Sequence, residues 1–395
     1  MSERYLYSGN KVACVGCEAC VQACRQGTIR MEEDDEGFRY PIIDSEKCIG
    51  CGRCHKVCPM ENTPVRHQEE KVVYGGHHIS TDVVLASTSG GAFSAIVDGW
   101  CDMNYVIFGA ESKGTRILHS YIEDKRDISI FRKSKYAQSE IGNSYIKTKE
   151  FLKAGKKVLF SGTPCQIAGL EMFLGSCNRT NLLTIEVICE GIPSPLLIRK
   201  LSKHYGDIRD IDYRNKTKYG RWDFQMMKIE TSHGAKVIDR WFNSFWSIWL
   251  QHLISRPSCY ECPFATKERV ADISLGDLWG VHLFCPELYN HNRGASLIIC
   301  NSKKGKEALN HALPFMEGHF LQYEEAVKYQ SPLRKPIAYN KRREVCLEDL
   351  RDDAITYKEI VSKYATKPSI RLLIHKYVWG NRQKMLLWNI FNKRR

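Results

Sequence analysis

The chain has 395 residues, 17 of them cysteine, and a formal net charge of +13. This length predicts two or three domains, and no run of eighteen apolar residues suggests a transmembrane helix. No nucleic-acid motif or repeated aromatic–basic pattern accompanies the positive charge, so we expect no nucleic-acid partner. Residues 1–10 are too polar for a secretory signal, which predicts a cytoplasmic protein with reduced thiols.

Two cysteine runs of the same spacing, C-x-x-C-x-x-C-x-x-x-C, fill the segment 14–58. Soft thiolates at this spacing hold cubane 4Fe–4S clusters, and in two-cluster ferredoxins the fourth cysteine of each run binds the other cluster. We therefore predict a bacterial-type dicluster ferredoxin module over residues 1–65. One cluster is assigned to Cys14, Cys17, Cys20 and Cys58, and the second to Cys48, Cys51, Cys54 and Cys24.

Zinc binding and disulfides are the alternative interpretations of these runs. Zinc sites normally use two C-x-x-C pairs or cysteine with histidine, and disulfides need an oxidising compartment. Glycines inside the runs (Gly16, Gly50 and Gly52) instead favour clusters, because only glycine lets the backbone approach the sulfides so closely. Residues 61–71 follow as a polar linker.

From residue 72 onward, short apolar runs alternate with helical stretches. Strands are predicted at 105–109, 158–160, 182–188 and 297–299, and helices at 92–100, 141–154, 166–174 and 195–205. Residues 221–238 are typical of a hairpin, and 242–253 of an aromatic helix packed on the sheet. This alternation predicts an α/β fold with a mixed sheet, so that the whole chain combines an α+β module with an α/β domain. We place the domain at 71–330, in parts 71–150 and 151–330, followed by a basic, helical extension at 331–395.

The turn Thr88-Ser89-Gly90-Gly91 precedes the first of these helices. Backbone N–H groups at a helix start attract anions, and the hydroxyls add donors, so this turn could seat the phosphate of a flavin. Ser-Gly-Gly turns are also common as simple helix caps, and the motif alone does not decide between the two.

Four later cysteines also stand in unusual contexts. Cys165 lies between a strand and a helix, Cys189 ends a strand, and Cys259 and Cys262 form a C-x-x-C pair. They could hold a third cluster, Cys165 could be a reactive thiolate at a helix N-terminus, or all four could be packing residues. The remaining five have no ligand spacing and are predicted to pack in the core: Cys101, Cys177, Cys285, Cys300 and Cys346.

A segment with two aspartates follows, Asp272-Ile-Ser-Leu-Gly-Asp277-Leu-Trp-Gly. These carboxylates could accept hydrogen bonds from a flavin ribityl chain, position a substrate, or simply shape a turn. The residues alone do not separate these alternatives.

Taken together, these segments resemble the coenzyme F420 hydrogenase/dehydrogenase beta-subunit family. The doubled cysteine runs, the glycine turn, Ser161-Gly-Thr163-Pro-Cys165-Gln, Cys189-x-Gly-x-Pro-Ser-Pro and the aspartate segment occur in the family's order over residues 1 to about 310. The resemblance implies FAD on the α/β domain, with Thr88, Ser89, Gly90, Gly91, Ser161, Thr163, Asp272 and Asp277 as binding residues. Many relatives have histidine where this chain has Glu190, which becomes the candidate catalytic carboxylate.

The implied function is an enzyme, an iron–sulfur flavoprotein oxidoreductase that exchanges electrons between ferredoxin, or another one-electron donor, and a small organic substrate or deazaflavin. The resemblance also implies a role in surface polysaccharide synthesis, since similar bacterial proteins are encoded in gene clusters for it. The alternative is a non-catalytic electron-transfer subunit of a larger hydrogenase or dehydrogenase complex.

The basic C-terminus has eight lysines or arginines and no acidic residue over 367–395, interleaved with apolar and aromatic residues. Such a segment could lie peripherally on the inner face of the membrane, pack on the protein's own core, or receive an acidic ferredoxin. Apolar stripes at helical spacing favour packing on the core.

Overall fold

The computed structural model describes residues 5–216, 222, 225–289, 294–380, 383, 386–387 and 390–391. Its N-terminal part is small: three short helices flank one antiparallel hairpin. Each cysteine run leads into a helix that starts after a residue with positive φ, Glu18 at 61° and Gly52 at 69°. The elements are α1 (Tyr5–Ser8), α2 (Ala19–Ala23), β1 (Ile29–Glu33), β2 (Arg39–Ile43) and α3 (Arg53–Lys56).

An eight-stranded mixed sheet forms the centre of the molecule, in the order β13 (Met316–Leu321), β3 (Val72–His78), β12 (Ser296–Cys300), β11 (Ile273–Asp277), β7 (Leu182–Val187), β6 (Lys157–Gly162), β4 (Tyr105–Lys113) and β5 (Arg116–Ile122). The neighbours β4, β6, β7 and β11 run parallel, and the outer pairings are antiparallel. The predicted mixed α/β architecture is therefore confirmed. The strands outside this sheet in the described chain from residue 72 are β8 (Ile208–Asn215), β9 (Met226–Thr231) and β10 (Gly234–Ile238).

Helices cover both faces of this sheet. One face packs on the helix at 92–100, and the other on the helices at 144–153 and 164–174. The helices are α4 (Thr81–Leu85), α5 (Ala92–Trp100), α6 (Ser144–Lys153), α7 (Pro164–Leu174), α8 (Leu196–Tyr205), α9 (Ser244–Trp249), α10 (Val281–Phe284), α11 (Lys303–Ala312), α12 (Tyr323–Val327), α13 (Arg343–Arg351), α14 (Tyr357–Tyr364) and α15 (Ile370–Leu373).

The predicted hairpin is present as β9 and β10, which pair with β8 in a second, three-stranded sheet. Residues 221, 223 and 224 of the predicted span lie outside the described residues. The aromatic helix is shorter than its predicted span of 242–253. Asn243 has extended backbone and its side chain accepts from the Phe245 N–H, so this residue caps α9 and separates it from the 3-10 turn before it.

A second core joins the three-stranded sheet to α8, α9, α13 and α14. Leu347, Leu350, Ile360 and Tyr364, all from the predicted C-terminal extension, are buried in it. Residues 343–364 are thus part of the central body rather than a separate unit, because their apolar sides complete this core.

Beyond α14 the described apolar side chains are exposed instead. Ile370 is 77% exposed and Val378 65% exposed, which does not match the prediction that this stripe packs on the core. Lys376 Nζ and Tyr377 OH both bind Asp239, at 2.8 and 2.5 Å, and hold the segment to the body by its polar side. Within the described part of the chain, no helix has the length and apolarity needed to cross a membrane.

Candidate functional site

Cys14, Cys17, Cys20 and Cys58 come together beside α2. Burial, and then the negative charge of neighbouring thiolates in this group, raises the pKa of Cys17 and Cys20 well above the ordinary value. Thiols that oppose each other's ionisation in this way would be stabilised as thiolates by a metal cluster between them. Cys58 of the second run thus lies with three cysteines of the first run, and that these four hold one cluster stays a prediction.

The second run has a similar but more exposed environment. Burial raises the pKa of Cys54, and the charges of Cys48 and Cys51 act in the same direction. Cys24 lies 3.2 Å from the Thr28 hydroxyl, and its membership of this second group stays a prediction.

Cys165, Cys189, Cys259 and Cys262 converge on one small cavity of about 40 Å³, which we call the four-cysteine site. They come from the first turn of α7, the end of β7 and the segment after α9. Burial, then the charges of the other three thiols, raises the pKa of Cys189 well above the ordinary value. All four cysteines are half-buried, and four soft thiol donors around one small cavity are the donor set of a 4Fe–4S cluster, so these residues fit one.

A larger cavity of about 550 Å³ opens where the parallel strands β6, β7 and β11 end. The carboxyl ends of parallel strands are where α/β proteins bind ligands, and the volume lies in the usual range of roughly 300–1,000 Å³ for such sites. Of the predicted residues, it is lined by Thr88, Ser89, Gly91, Ser161, Thr163, Glu190 and Asp277.

The glycine turn forms one wall of this cavity and is held tightly. Gly91 has φ of 87°, and a Cβ on Gly90 would come within 2.4 Å of the Gly76 carbonyl oxygen. The Gly90 N–H donates to Ser296 Oγ at 2.9 Å, and Ser89 Oγ donates to the Ala295 carbonyl at 2.6 Å. Gly90 therefore supports the turn from behind, while its neighbours face the cavity.

A basic segment that was not among the residues predicted for the site lies beside the turn. Arg132, Lys133 and Lys135 all line the cavity, and the Ser134 N–H donates to Thr88 Oγ1 at 2.8 Å. Burial lowers the pKa of Lys135 to about 7. The run Arg-Lys-Ser-Lys was the available sequence signal, but nothing in the sequence places it against residue 88.

Glu190 lies at the other side of the cavity, near Arg240. Desolvation raises the pKa of the Glu190 carboxyl, and the Arg240 charge opposes that rise. The Glu190 side chain is exposed to solvent in the open cleft, and the walls of the cleft desolvate its carboxyl. A carboxyl in such a place can hold a proton above its ordinary pKa.

The two aspartates of the aspartate segment, Asp272 and Asp277, have different positions. Asp277 lines the cavity, where its carboxylate accepts from Arg214 Nη1 at 3.1 Å and from Trp222 Nε1 at 2.9 Å. Asp272 is buried elsewhere and bonds Thr184 and Ser302. Its oxygens thus fasten β7 to the start of α11, and we do not propose Asp272 as a flavin ligand.

Of the cysteines predicted to pack, Cys101, Cys285, Cys300 and Cys346 are buried and Cys177 is half-buried. Cys285 has polar neighbours as well: its sulfur and ligand atoms of Glu287 and His319 lie within 4.8 Å of one another. The Cys285 thiol donates to Glu287 at 3.1 Å, which accounts for the contact without a metal.

Comparison with known sequence families gives two matches. Residues 155–324 match the family described as the C terminus of the coenzyme F420 hydrogenase/dehydrogenase beta subunit. Residues 13–62 match the 4Fe-4S dicluster domain. The chain is accordingly an iron–sulfur protein of an oxidoreductase family.

Individual relatives match over short stretches. Ketoisovalerate oxidoreductase subunit VorC of Methanothermobacter marburgensis is 36% identical over 62 residues, which are 15% of this chain and 78% of the relative. Coenzyme F420-dependent sulfite reductase of Methanocaldococcus jannaschii is 35% identical over 57 residues, 14% of this chain but only 9% of the relative.

Among solved structures, a chain of the F420-reducing [NiFe] hydrogenase complex from Methanosarcina barkeri aligns with 76% of this chain and 94% of its own length, at 15% identity and a TM-score of 0.43. The two sequence matches confirm the resemblance on which the expectations for residues 13–62 and 155–324 were based. Residues 155–324 therefore belong to the coenzyme F420 hydrogenase/dehydrogenase beta-subunit family, and residues 13–62 form a 4Fe–4S dicluster domain.

Proposed function

We propose that this chain is an FAD- and 4Fe–4S-dependent oxidoreductase that exchanges electrons between a ferredoxin-type donor and a small organic substrate or deazaflavin. The observation that carries the proposal is the contact between the two cavities. Cys189, Gly191, Ile192 and Pro332 line both the four-cysteine site and the large cavity. A one-electron carrier and a larger ligand would thus share a common wall.

The large cavity fits FAD by its donors and its charge. The turn at 88–91 offers hydroxyl and backbone donors, and Ser161 and Thr163 also line the cavity. The side chains of Arg132, Lys133 and Lys135 add positive charge for a pyrophosphate. Asp277 would accept from a ribityl hydroxyl. Bound there, FAD supplies the chemistry of exchanging either one or two electrons.

The protein's own acid–base group in this proposal is Glu190. Its raised pKa and its position in the cavity near Arg240 suit a carboxyl that gives or takes a proton at the substrate. Arg240 would in turn orient the substrate or keep the carboxyl partly ionised.

The third cluster is part of the proposal. The rival interpretation of Cys165 as a reactive thiolate is disfavoured because burial, then the charge of Cys262, raises its pKa to about 11. A reactive thiolate needs the opposite shift. Buried thiols with such high pKa values need a metal to become ionised ligands.

The partner and location follow from the same reasoning. A ferredoxin or similar one-electron donor would reduce the N-terminal module, and the exposed basic segment after α14 would contact an anionic membrane surface. A role in surface polysaccharide synthesis remains the proposal that the family resemblance suggests. We also propose the domain limits 1–65, 71–330 (in parts 71–150 and 151–330) and 331–395. Within the last of these, residues 343–364 pack in the core of the central body.

The second candidate is an electron-transfer subunit that has no substrate of its own. It is favoured by the relatives, because some of them are named as subunits of oxidoreductases. Anaerobic purification of the full chain, analysis of iron and released flavin, and a screen of acceptors with reduced ferredoxin separate the two. We expect FAD and turnover; bound clusters without flavin or turnover would establish the subunit instead.

A further inference from the structure

Arg256 is buried between the N-terminal module and the four-cysteine site. Its side chain is 1% exposed. Nε donates to the Cys14 carbonyl oxygen at 3.0 Å, and Nη2 lies 3.8 Å from Cys14 Sγ and 3.2 Å from the Arg39 carbonyl oxygen. The guanidinium is therefore bonded to a ligand residue of the first predicted cluster.

The same arginine belongs to the four-cysteine site. It lines the small cavity, and its backbone is fixed there because the Arg256 N–H donates to Ile192 O and the Cys259 N–H donates to Arg256 O, both at 2.9 Å. Burial raises the pKa of Cys165 and Cys259, and the Arg256 charge acts against that rise. One cation thus acts on both sets of cysteines.

Within the described parts of the chain, Arg256 has no carboxylate at ion-pair distance. Its other side-chain partners include the neutral Gln138 Oε1 at 3.0 Å and the Tyr40 ring, whose centroid lies 4.1 Å from the guanidinium carbon. Burying an unpaired charge costs free energy of folding, so the positively charged Arg256 side chain needs negative charge nearby. Thiolate-bound clusters on its two sides would provide that charge.

The backbone between the first two cysteines is shaped around this arginine. Gly16 has φ of 68°, and a Cβ there would come within 2.5 Å of Gln138 Nε2 and 3.1 Å of Arg256 Nη1. Gln138 Nε2 also donates to the Val15 and Gly16 carbonyls, at 2.9 and 3.1 Å. The loop therefore closes onto the guanidinium with no room for a side chain.

We propose that Arg256 is a positioning residue for electron transfer: it is the shared cation of the cluster on Cys14 and the four-cysteine site, and it raises the reduction potential of both. The proposal rests on the clusters of the proposed function. Each transfer oxidises one site and reduces the other by one electron, with the first electron from a ferredoxin-type donor. A buried cation favours the more negative, reduced state, and donors to sulfur act in the same direction.

The test is a redox titration of the holoprotein followed by electron paramagnetic resonance, with iron analysis of every sample. Arg256→Met removes the positive charge, and Arg256→Lys keeps the charge but lacks the planar guanidinium group with its several N–H donors. Arg343→Met is the matched control, since Arg343 is 5% exposed and bonds the neighbouring Ser255 O, but pairs with Glu36 instead of a sulfur. The Cys51→Ala and Cys262→Ala proteins assign the signals.

We expect Arg256→Met to shift the signals of the Cys14 cluster and the four-cysteine site to lower potential. The reduction potential of the cluster on Cys51 should not change in Arg256→Met. In Arg256→Lys, both affected potentials should stay close to the wild-type values, and in Arg343→Met all potentials should equal the wild-type values. Unchanged potentials in an iron-replete Arg256→Met protein, or an equal shift of all signals, would overturn the proposal. So would loss of iron in both Arg256 variants, because that outcome indicates a structural role alone.

Failure of the third cluster is separable from failure of this inference. If the wild type holds only the two N-terminal clusters, the four-cysteine part of the proposal is wrong. The shift of the Cys14 signal in Arg256→Met would still decide whether the arginine tunes that cluster.

Discussion

Gly169 of α7 lies directly against Cys17 of the first cysteine run. A Cβ on Gly169 would come within 2.9 Å of both Cβ and Sγ of Cys17, and within 3.1 Å of the Tyr145 hydroxyl. The same helix carries Cys165 in its first turn. One helix therefore fixes the position of the dicluster module relative to the four-cysteine site.

The first prediction follows from this contact. Gly169→Val should displace Cys17 and lower the iron content of the purified protein by up to one cluster, because overpacking costs about 1–3 kcal/mol and the sulfur lies at the point of collision. Iron analysis and visible absorbance measure the loss. Gly155→Asn is the control, since a Cβ on Gly155 would meet no other atom within 4 Å and asparagine tolerates its φ of 76°. Full iron in Gly169→Val would contradict the prediction.

The four-cysteine site gives the second prediction. A chain with three four-iron clusters holds about twelve irons, and Cys262→Ala should reduce this to about eight because one of four ligands is lost. Cys177→Ala, which changes a half-buried cysteine outside every group, should leave the iron content unchanged. A wild-type protein with about eight irons and an identical Cys262→Ala protein would show that these thiols do not hold a cluster.

Glu190 gives the third prediction, which concerns pH. Desolvation by the surrounding walls of the cleft raises the pKa of its carboxyl above the ordinary 4.5, so the proton stays bound to a higher pH than usual. If the carboxyl donates that proton, turnover falls as pH rises through this pKa. Glu190→Gln should lower kcat by roughly 10²–10⁴-fold and abolish this fall at high pH, which is the alkaline limb of the pH–rate profile.

The Arg240 charge lowers the pKa of Glu190, so removing that charge should shift the pH dependence in a known direction. Arg240→Gln should move the limb to higher pH, since the carboxyl then holds its proton more tightly. A limb that persists in Glu190→Gln, or moves to lower pH in Arg240→Gln, would assign the proton transfer to another group.

The fourth prediction concerns Lys135 and flavin binding. Burial, then the neighbouring Lys133 charge, lowers the pKa of Lys135 from 10.5 to about 7. Its cation is present below that pH and lost above it, so the affinity for FAD should fall as pH rises above about 7, and binding should take up a proton. Calorimetric titration in two buffers of different ionisation enthalpy measures both effects.

Lys135→Met should bind FAD more weakly and with no pH dependence in this range. Lys216 is the relevant comparison, because burial lowers its pKa to about 7 as well, although it lies outside the cavity lining. If the pH dependence survives in Lys135→Met, the prediction is wrong, and its loss in Lys216→Met would then identify Lys216 as the titrating group.

Local spacing was sufficient to predict much of this molecule. The repeated cysteine spacing indicated the dicluster domain, and the strand at β6 and the helix at α5 were predicted closely from apolar runs bounded by turn residues. Pairing over long sequence distances could not be predicted. Cys165 and Cys262 are 97 positions apart in numbering and meet only because β7, α7 and the loop after α9 share one end of the sheet.

The same limit explains the misplaced residues. Asp272 and Asp277 flank one strand and have similar sequence contexts, yet only the second faces the cavity, because the first is bonded to Thr184 and Ser302. The basic run at 132–135 is unremarkable by composition and gains its meaning from the contact of Ser134 with Thr88. Periodicity likewise marked the C-terminal stripe as core, whereas the structure leaves it exposed.

That exposed stripe is the basis of the last prediction. In 367–395 there are eight basic residues and no acidic ones, and Ile370, Ile374 and Val378 recur at helical spacing with exposures of 77, 48 and 65%. Trp379 follows them, 48% exposed. Basic residues with exposed aromatic and apolar neighbours bind anionic bilayer surfaces, where each basic residue adds roughly 1 kcal/mol.

We expect the intact protein to co-sediment with vesicles containing phosphatidylglycerol, less so at high salt, and not with purely zwitterionic vesicles. Ile370→Asp and Val378→Asp should each weaken this binding, because a carboxylate opposes both the apolar and the electrostatic contribution. The matched controls are Val65→Asp and Met103→Asp, at positions 89 and 78% exposed, which should bind as the wild type does. Equal binding by all four variants, or vesicle binding that survives deletion of 367–395, would exclude a membrane role for this segment. A different outcome would indicate an acidic protein partner: the intact chain does not bind vesicles, and only Ile370→Asp and Val378→Asp lose the response to reduced ferredoxin. The same positive charges that attract an anionic lipid also attract an acidic protein.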